Sequence, residues 1–87
     1  VTYSITIKKS AQKSLAKISQ PHQRNIIQSI RDLSGQPRPN ACKKLSGRNA
    51  WRIRVGNYRI IYEIFDLELI VLIVDVGHRR EIYKTKS

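Results

Sequence analysis

The stretch WRIRVGNYRIIYEIF, residues 51–65, decides how this 87-residue chain folds. Trp51, Ile53 and Val55 alternate with Arg52 and Arg54, the period of two expected of a strand with one buried face. Gly56-Asn57 follows, a two-residue hairpin signal in which glycine supplies the positive φ that such turns demand. Residues 58–65 then read as the returning strand. A turn of that length sets Val55 opposite Tyr58 and therefore Arg54 opposite Arg59, with Arg52 on the same face opposite Ile61. Like charges directly opposed on a sheet face are destabilising, and Glu63, further along, serves one guanidinium at best. An anion between the arginines accounts for the arrangement most simply. Phosphate fits, because guanidinium binds it bidentately and stays protonated.

Downstream, residues 66–68 form a second tight connection. Residues 69–76 are apolar on both faces, as expected of an interior strand covered on both sides. Antiparallel pairing carries the end of that strand, VGHRREIY at residues 76–83, back beside Arg59. His78, Arg79, Arg80 and Tyr83 are thus expected to converge with Arg54 and Arg59 on one edge of the sheet. Upstream, residues 2–9 alternate, with Tyr3, Ile5 and Ile7 on one face of a first strand. Ser10 reads as the N-cap of a helix whose apolar stripe is Ala11, Leu15 and Ile18, with Lys9, Lys13 and Lys17 on its opposite side. Pro21 suits the first turn of a second helix, Ile26, Ile27, Ile30 and Leu33 form its stripe, and Gly35 is the expected stop. His22 is expected to be exposed at the start of that helix. Residues 35–40 form a Pro-rich loop, and residues 42–50 a short basic connector into the sheet. The reading is a single α+β domain over residues 1–87, in the order β-α-α-β-β-β, with a helix hairpin packed on a mostly antiparallel sheet.

Seventeen Lys and Arg face six Asp and Glu, a formal net charge of +11. That self-repulsion points to a polyanionic partner, nucleic acid before an anionic membrane, since the basic residues do not lie opposite a strongly apolar helix face. The apolar run at residues 69–74 is far too short to span a bilayer. A single cysteine, Cys42, excludes an internal disulfide framework and fits a reducing, cytoplasmic setting; it is expected simply to be packed. No secretory signal is expected. Without a Cys/His or carboxylate cluster, no metal or other cofactor is expected, and a metal-dependent nuclease is disfavoured.

Basic and aromatic residues alone suffice for passive nucleic-acid binding. Two features suggest chemistry as well. His78 can exchange a proton near neutral pH, and clustered arginines can stabilise the extra charge of a pentavalent phosphorane. Metal-free RNA cleavage, in which the ribose 2′-OH attacks its neighbouring phosphate, needs only those two contributions. The residues by themselves leave enzyme and binder open.

The combination CKKLSG, WRIRVGNYRIIYEI and LIVLIVDVGHRREIY resembles the RelE branch of the RelE/ParE toxin superfamily, the toxin halves of bacterial type II toxin–antitoxin pairs, over nearly the whole chain. The resemblance implies a compact β-α-α-β-β-β domain that enters the ribosomal A site and cuts the mRNA codon there, inhibiting translation. Carried over residue by residue, the family's second-strand basic pair falls on Arg52 and Arg54, its G-Y-R arginine on Arg59, the arginine after its V-G turn on Arg79, and its closing tyrosine on Tyr83. Well-studied members carry lysines at the second-strand pair. Arginine cannot act as a base, so that task shifts to Tyr83 or His78. Arg54, Arg59 and Arg79 are then assigned to phosphate and transition-state charge, with Arg52, Lys43, Lys44 and Arg80 as substrate-binding candidates. The resemblance also implies a RelB-like antitoxin bearing an amphipathic helix and acidic residues, and operator DNA as a possible target of the toxin–antitoxin complex. The rival readings are a ParE-like gyrase inhibitor and a non-catalytic basic RNA-binding module.

Overall fold

The computed structural model describes residues 1–78. In chain order, β1 (Ser4–Ile7) leads into α1 (Lys9–Ala16) and α2 (His22–Asp32), followed by β2 (Lys43–Lys44), β3 (Trp51–Val55), β4 (Tyr58–Phe65) and β5 (Ile70–His78). The strands form one sheet in the order β1-β5-β4-β3-β2. β1 runs parallel to β5, and the remaining pairs are antiparallel. The α+β architecture read from the sequence is observed, with one strand more. The expected connector at residues 42–50 contains β2, in which Lys43 pairs with Arg52 and Lys44 with Trp51. Two residues are too few for a period-two pattern to register.

The helix ends differ in detail from the sequence reading. Ser10 lies inside α1, and Lys8, in extended conformation, takes the N-cap position without a side-chain cap. The carbonyl of Ile7 instead accepts from the Gln12 side-chain amide at 2.8 Å. α2 ends at Asp32 through a tightened last turn, in which the N–H groups of Leu33, Ser34 and Gly35 donate to the carbonyls three residues earlier. Gly35 does not adopt the left-handed conformation; Gly47 and Gly56 do. In the β3–β4 turn only Gly56 has positive φ (60°), the pattern of a type II′ turn rather than one demanding two left-handed residues.

Both helices lie on one face of the sheet. Ala11, Ile26, Ile30 and Leu33 pack against Ile60, Tyr62, Ile64, Val71, Ile73 and Val76, flanked by Leu15, Ile18, Ile53 and Val55. Each of the larger aliphatic side chains contributes about 1.5–3 kcal/mol by leaving water. Tyr62 is fully enclosed, and its hydroxyl donates to the Pro37 carbonyl at 2.7 Å, pinning the Pro-rich loop to the core. Cys42 is packed beside that core, as expected. At the far end of the sheet Asp66 accepts the Tyr3 hydroxyl at 2.6 Å and both terminal nitrogens of Arg38, at 3.2 and 2.9 Å.

β5 is an interior strand, but its two faces are unequal. The helix side is buried, whereas the other side is half-covered, by Leu45 and Ala50 against Ile61 and Val74. Pairing with β4 also slips by one residue. Ile61 stands opposite Asp75 and Tyr62 opposite Ile73, which leaves Val74 as the extra residue of a β-bulge. Val74 and Asp75 both face away from the helices, and Val76 returns to the core, 1% exposed. Strict alternation would have turned Asp75 inward and Val76 outward. Among the described residues no helix is long and apolar enough to cross a membrane.

Candidate nucleic-acid interface

The β3–β4 pairing is the one the turn dictates: Val55 opposite Tyr58, Arg54 opposite Arg59, and Arg52 opposite Ile61. Paired residues share a face of a sheet, and Lys43 is paired with Arg52. Lys43, Arg52, Arg54 and Arg59 therefore gather on the face turned away from the helices. Lys44 is on the other face, with Nζ 5.9 Å from the Trp51 ring centroid; the Arg38 guanidinium lies 5.2 Å from the same centroid. Of the sequence-predicted basic residues, then, β2 delivers one to the arginine face and one away from it.

The cations on this face differ in setting. Arg54 is exposed and Arg52 half-buried. Neither forms an ion pair among the described residues. Arg59 is only 2% exposed, the one buried charged residue in the described core. Asp75 is the acid that sequence reasoning missed: it stands opposite Ile61 on this face, diagonal to Arg59, whose direct partner in β5 is Gly77. A carboxylate at an apparently inward position of an apolar strand was the signal available for the bulge.

The same bulge decides where His78 goes. His78 pairs with Tyr58, not with Arg59, and its ring meets the Tyr58 ring edge-on at 5.6 Å between centroids. The exposed His22 ring approaches Tyr58 from α2 at 5.5 Å. His78 thus sits on the helix side of the sheet. His78 does reach the end of the sheet where Arg54 and Arg59 lie, but one inserted residue turns it to the opposite face. Arg79, Arg80 and Tyr83 lie outside the described residues.

Between the end of α1 and this aromatic group lies a cleft of about 310 Å³, lined by Ser14, Lys17, Ile18, Tyr58, Val76, Gly77 and His78. Among the described residues no group of three or more His, Cys, Asp and Glu is placed to hold a metal ion. The strongest titration effects lie elsewhere. Hydrogen bonds from Arg38 and then Tyr3 hold the Asp66 carboxyl down to about 2. The bond to Asp66 in turn pushes the Tyr3 phenol up, and burial pushes up that of Tyr62. Tyr3, Arg38 and Asp66 fasten the fold beyond the end of β4, and Tyr62 holds the Pro-rich loop to the core.

The sequence model of the family described as "ParE toxin of type II toxin-antitoxin system, parDE" matches residues 5–83. Among solved structures, the chain is similar to one in the toxin–antitoxin complex RelBE2 from Mycobacterium tuberculosis, at 28% identity over 91% of this chain and 100% of that one, with a TM-score of 0.79. It is similar to a chain of the archaeal RelE–RelB complex from Pyrococcus horikoshii OT3 at 27% identity, over 91% of this chain and 97% of that one, with a TM-score of 0.81. A chain of the RelB–RelE antitoxin–toxin complex from Methanococcus jannaschii is 28% identical over 92% of this chain and 96% of its own length, with a TM-score of 0.76. No curated protein matches the sequence significantly.

Proposed function

The chain belongs to the RelE/ParE superfamily of type II toxins, and from that premise we propose that it is a metal-independent, ribosome-dependent endoribonuclease that cuts mRNA in the A site and so stops translation in the cytoplasm. The observation that carries the reading is the opposition of Arg54 and Arg59, with Arg52 and Lys43 beside them, on the sheet face free of helices. A sheet selected for stability alone would place an acid or a neutral residue at one of those positions. Cations opposed at one point suit a scissile phosphodiester, whose charge rises in the transition state.

In the proposed reaction the ribose 2′-oxygen forms a bond to the adjacent phosphorus as its proton passes to a base. The bond from phosphorus to the 5′-oxygen then breaks, and that oxygen takes up a proton, leaving a cyclic phosphate and a free 5′-hydroxyl. Charge builds on the two non-bridging oxygens, and preorganised cations lower the barrier by stabilising it. Arg54, exposed, takes the phosphate directly, and Arg59 adds an enclosed positive charge behind it. Arg79 supplies a third guanidinium towards the leaving oxygen. The base is Tyr83, the candidate left by the family resemblance once arginines occupy the second-strand pair. His78, on the helix side with Tyr58, is left out of the proton transfers.

The partner is proposed to be a RelB-like antitoxin, as in the three similar complexes. The arginine face suits an acidic, amphipathic segment: its cations share that face with the half-covered apolar residues Leu72 and Val74. Operator DNA would be reached through that complex. Primer extension on an mRNA under translation, with and without the purified chain, tests the function. Cleavage within codons that depends on ribosomes is expected, lost in Arg79→Ala/Tyr83→Phe while the variant stays folded. Gyrase-dependent DNA breaks without mRNA cleavage would assign the ParE activity instead. Salt-sensitive RNA binding with no cleavage would leave a passive module.

A further inference from the structure

The helix side of the sheet carries a second recess that the proposed chemistry does not use. Its wall is the cleft of about 310 Å³ between α1 and the meeting ends of β4 and β5. Tyr58 forms its aromatic centre, with His78 edge-on at 5.6 Å and His22 at 5.5 Å. Ile18 and Val76 supply apolar wall, Ser14 a hydroxyl, and Lys17 an ammonium group. Among the described residues the lining contains no carboxylate, and none occurs before Asp32 in the sequence, although Lys8, Lys9, Lys13, Lys17, Arg24 and Arg31 all do. Lys13, one turn before Lys17 and exposed, extends the positive rim along α1.

We propose that this cleft is a nucleotide-binding subsite, taking a base against the Tyr58 and His78 rings and its phosphate at Lys17. The inference rests on the RNA-directed reading of the arginine face and deepens it by naming where a flanking nucleotide goes. Aromatic rings accept any base through its π-face, and an adjacent cation holds the backbone, the combination that single-stranded RNA sites use. The volume is at the small end of ligand sites and suits one nucleotide rather than a helix of nucleic acid. The location joins the two faces. Tyr58 immediately precedes Arg59, and Gly77, which also lines the cleft, is the ladder partner of Arg59. An RNA strand passing round the β3–β4 turn would meet the arginines on one side of the sheet and the cleft on the other.

The test is a titration of the full chain with 5′-AMP, adenosine and inorganic phosphate in turn, followed by backbone amide NMR. 5′-AMP is expected to shift Lys17, Tyr58 and Gly77, and to bind about tenfold more tightly than either adenosine or phosphate, each of which fills half of the site. Lys17→Gln, a surface change that leaves the core intact, is expected to weaken 5′-AMP about tenfold without altering adenosine. Arg54→Ala is expected to leave the 5′-AMP shifts in the cleft unchanged, so loss of RNA cleavage and loss of this site are read separately. Binding of 5′-AMP no tighter than phosphate, shifts confined to the arginine face, or no shifts at saturation would each overturn the proposal.

Discussion

Replacing Arg54 by Gln removes one of two opposed charges while keeping most of the side-chain stem; replacing it by Glu reverses the sign. The ladder sets Arg54 directly across from Arg59, and the latter is enclosed. Like charges roughly 5–10 Å apart repel by about 0.4–0.8 kcal/mol at the dielectric constant of water and by about 2–3 kcal/mol at an effective value of about 20. Arg54 is exposed, so the lower end applies. Arg54→Gln is therefore expected to stabilise the free chain by about 0.5–1 kcal/mol, and Arg54→Glu by about 1–2 kcal/mol, because it replaces repulsion with attraction. At an m-value of about 1 kcal/mol per molar urea, the Gln variant should unfold at about 0.5–1 M higher urea in low salt. At about 1 M salt, where screening acts within about 3 Å, most of the gain should vanish. Both variants should lose mRNA cleavage in the primer-extension assay. A Gln variant no more stable than the parent in low salt would refute the claim that the arginine face carries a stored repulsion. An equal gain at both salt concentrations would show that packing, not charge, is responsible.

Tyr62→Phe leaves the Pro37 carbonyl without its buried donor, and a loss of about 1–2 kcal/mol in urea unfolding is expected; an unchanged midpoint would show that the loop is held by packing alone. Asp66 has its folded pKa held down to about 2 against an ordinary 3.8. Its contribution is therefore fully present above about pH 4 and is lost as the pH falls through the folded value. Asp66→Asn should flatten the acid limb of the stability curve between those limits, and an identical limb in both proteins would exclude this carboxylate as its source. Deleting Val74 removes the bulge but leaves Asp75 opposite Ile61 and Val76 opposite Ile60, so both keep their faces and only the half-buried Val74 side chain is lost. A destabilisation of about 1–2 kcal/mol with the fold retained is expected, and loss of the cooperative urea transition would refute the account of the register.

How much could be read beforehand depended on how local the deciding signal was. The β3–β4 register followed from two turn residues and the alternation around them, so the Arg54–Arg59 opposition was legible. The helix stripes Ala11/Leu15/Ile18 and Ile26/Ile30/Leu33 were legible for the same reason, each face being set by its own period. β2 was not, because two residues carry no period and their strand character comes wholly from the partner Trp51-Arg52. The placement of His78 failed for a different reason. Alternation continued from Val71 and Ile73 would bring Asp75 inward, and a charged residue in an otherwise apolar inward row conflicts with burial strongly enough to mark a bulge. The Arg38–Asp66 pair joins residues 28 positions apart in a loop and a turn, where neither partner has a periodic neighbour to fix its direction.

The division of labour between the sheet faces has an energetic consequence for the free chain. One buried isoleucine such as Ile60 offsets the whole expected repulsion between Arg54 and Arg59, so the fold tolerates a cationic face. Yet the net stability of a small domain is only about 5–15 kcal/mol, and one or two kcal/mol is a noticeable share of it. Any anion that binds the folded chain at this face removes repulsion and adds its own binding free energy, stabilising the fold by mass action. On the proposed function, an acidic antitoxin segment and an RNA phosphate would act on the same quantity and compete for the same face. The chain alone would then be the least stable of its states, and an antitoxin that covered the face would also relieve its repulsion. A sheet with Glu in place of Arg54 would lose that coupling: it would be steadier in isolation, and it would have less to gain from either partner.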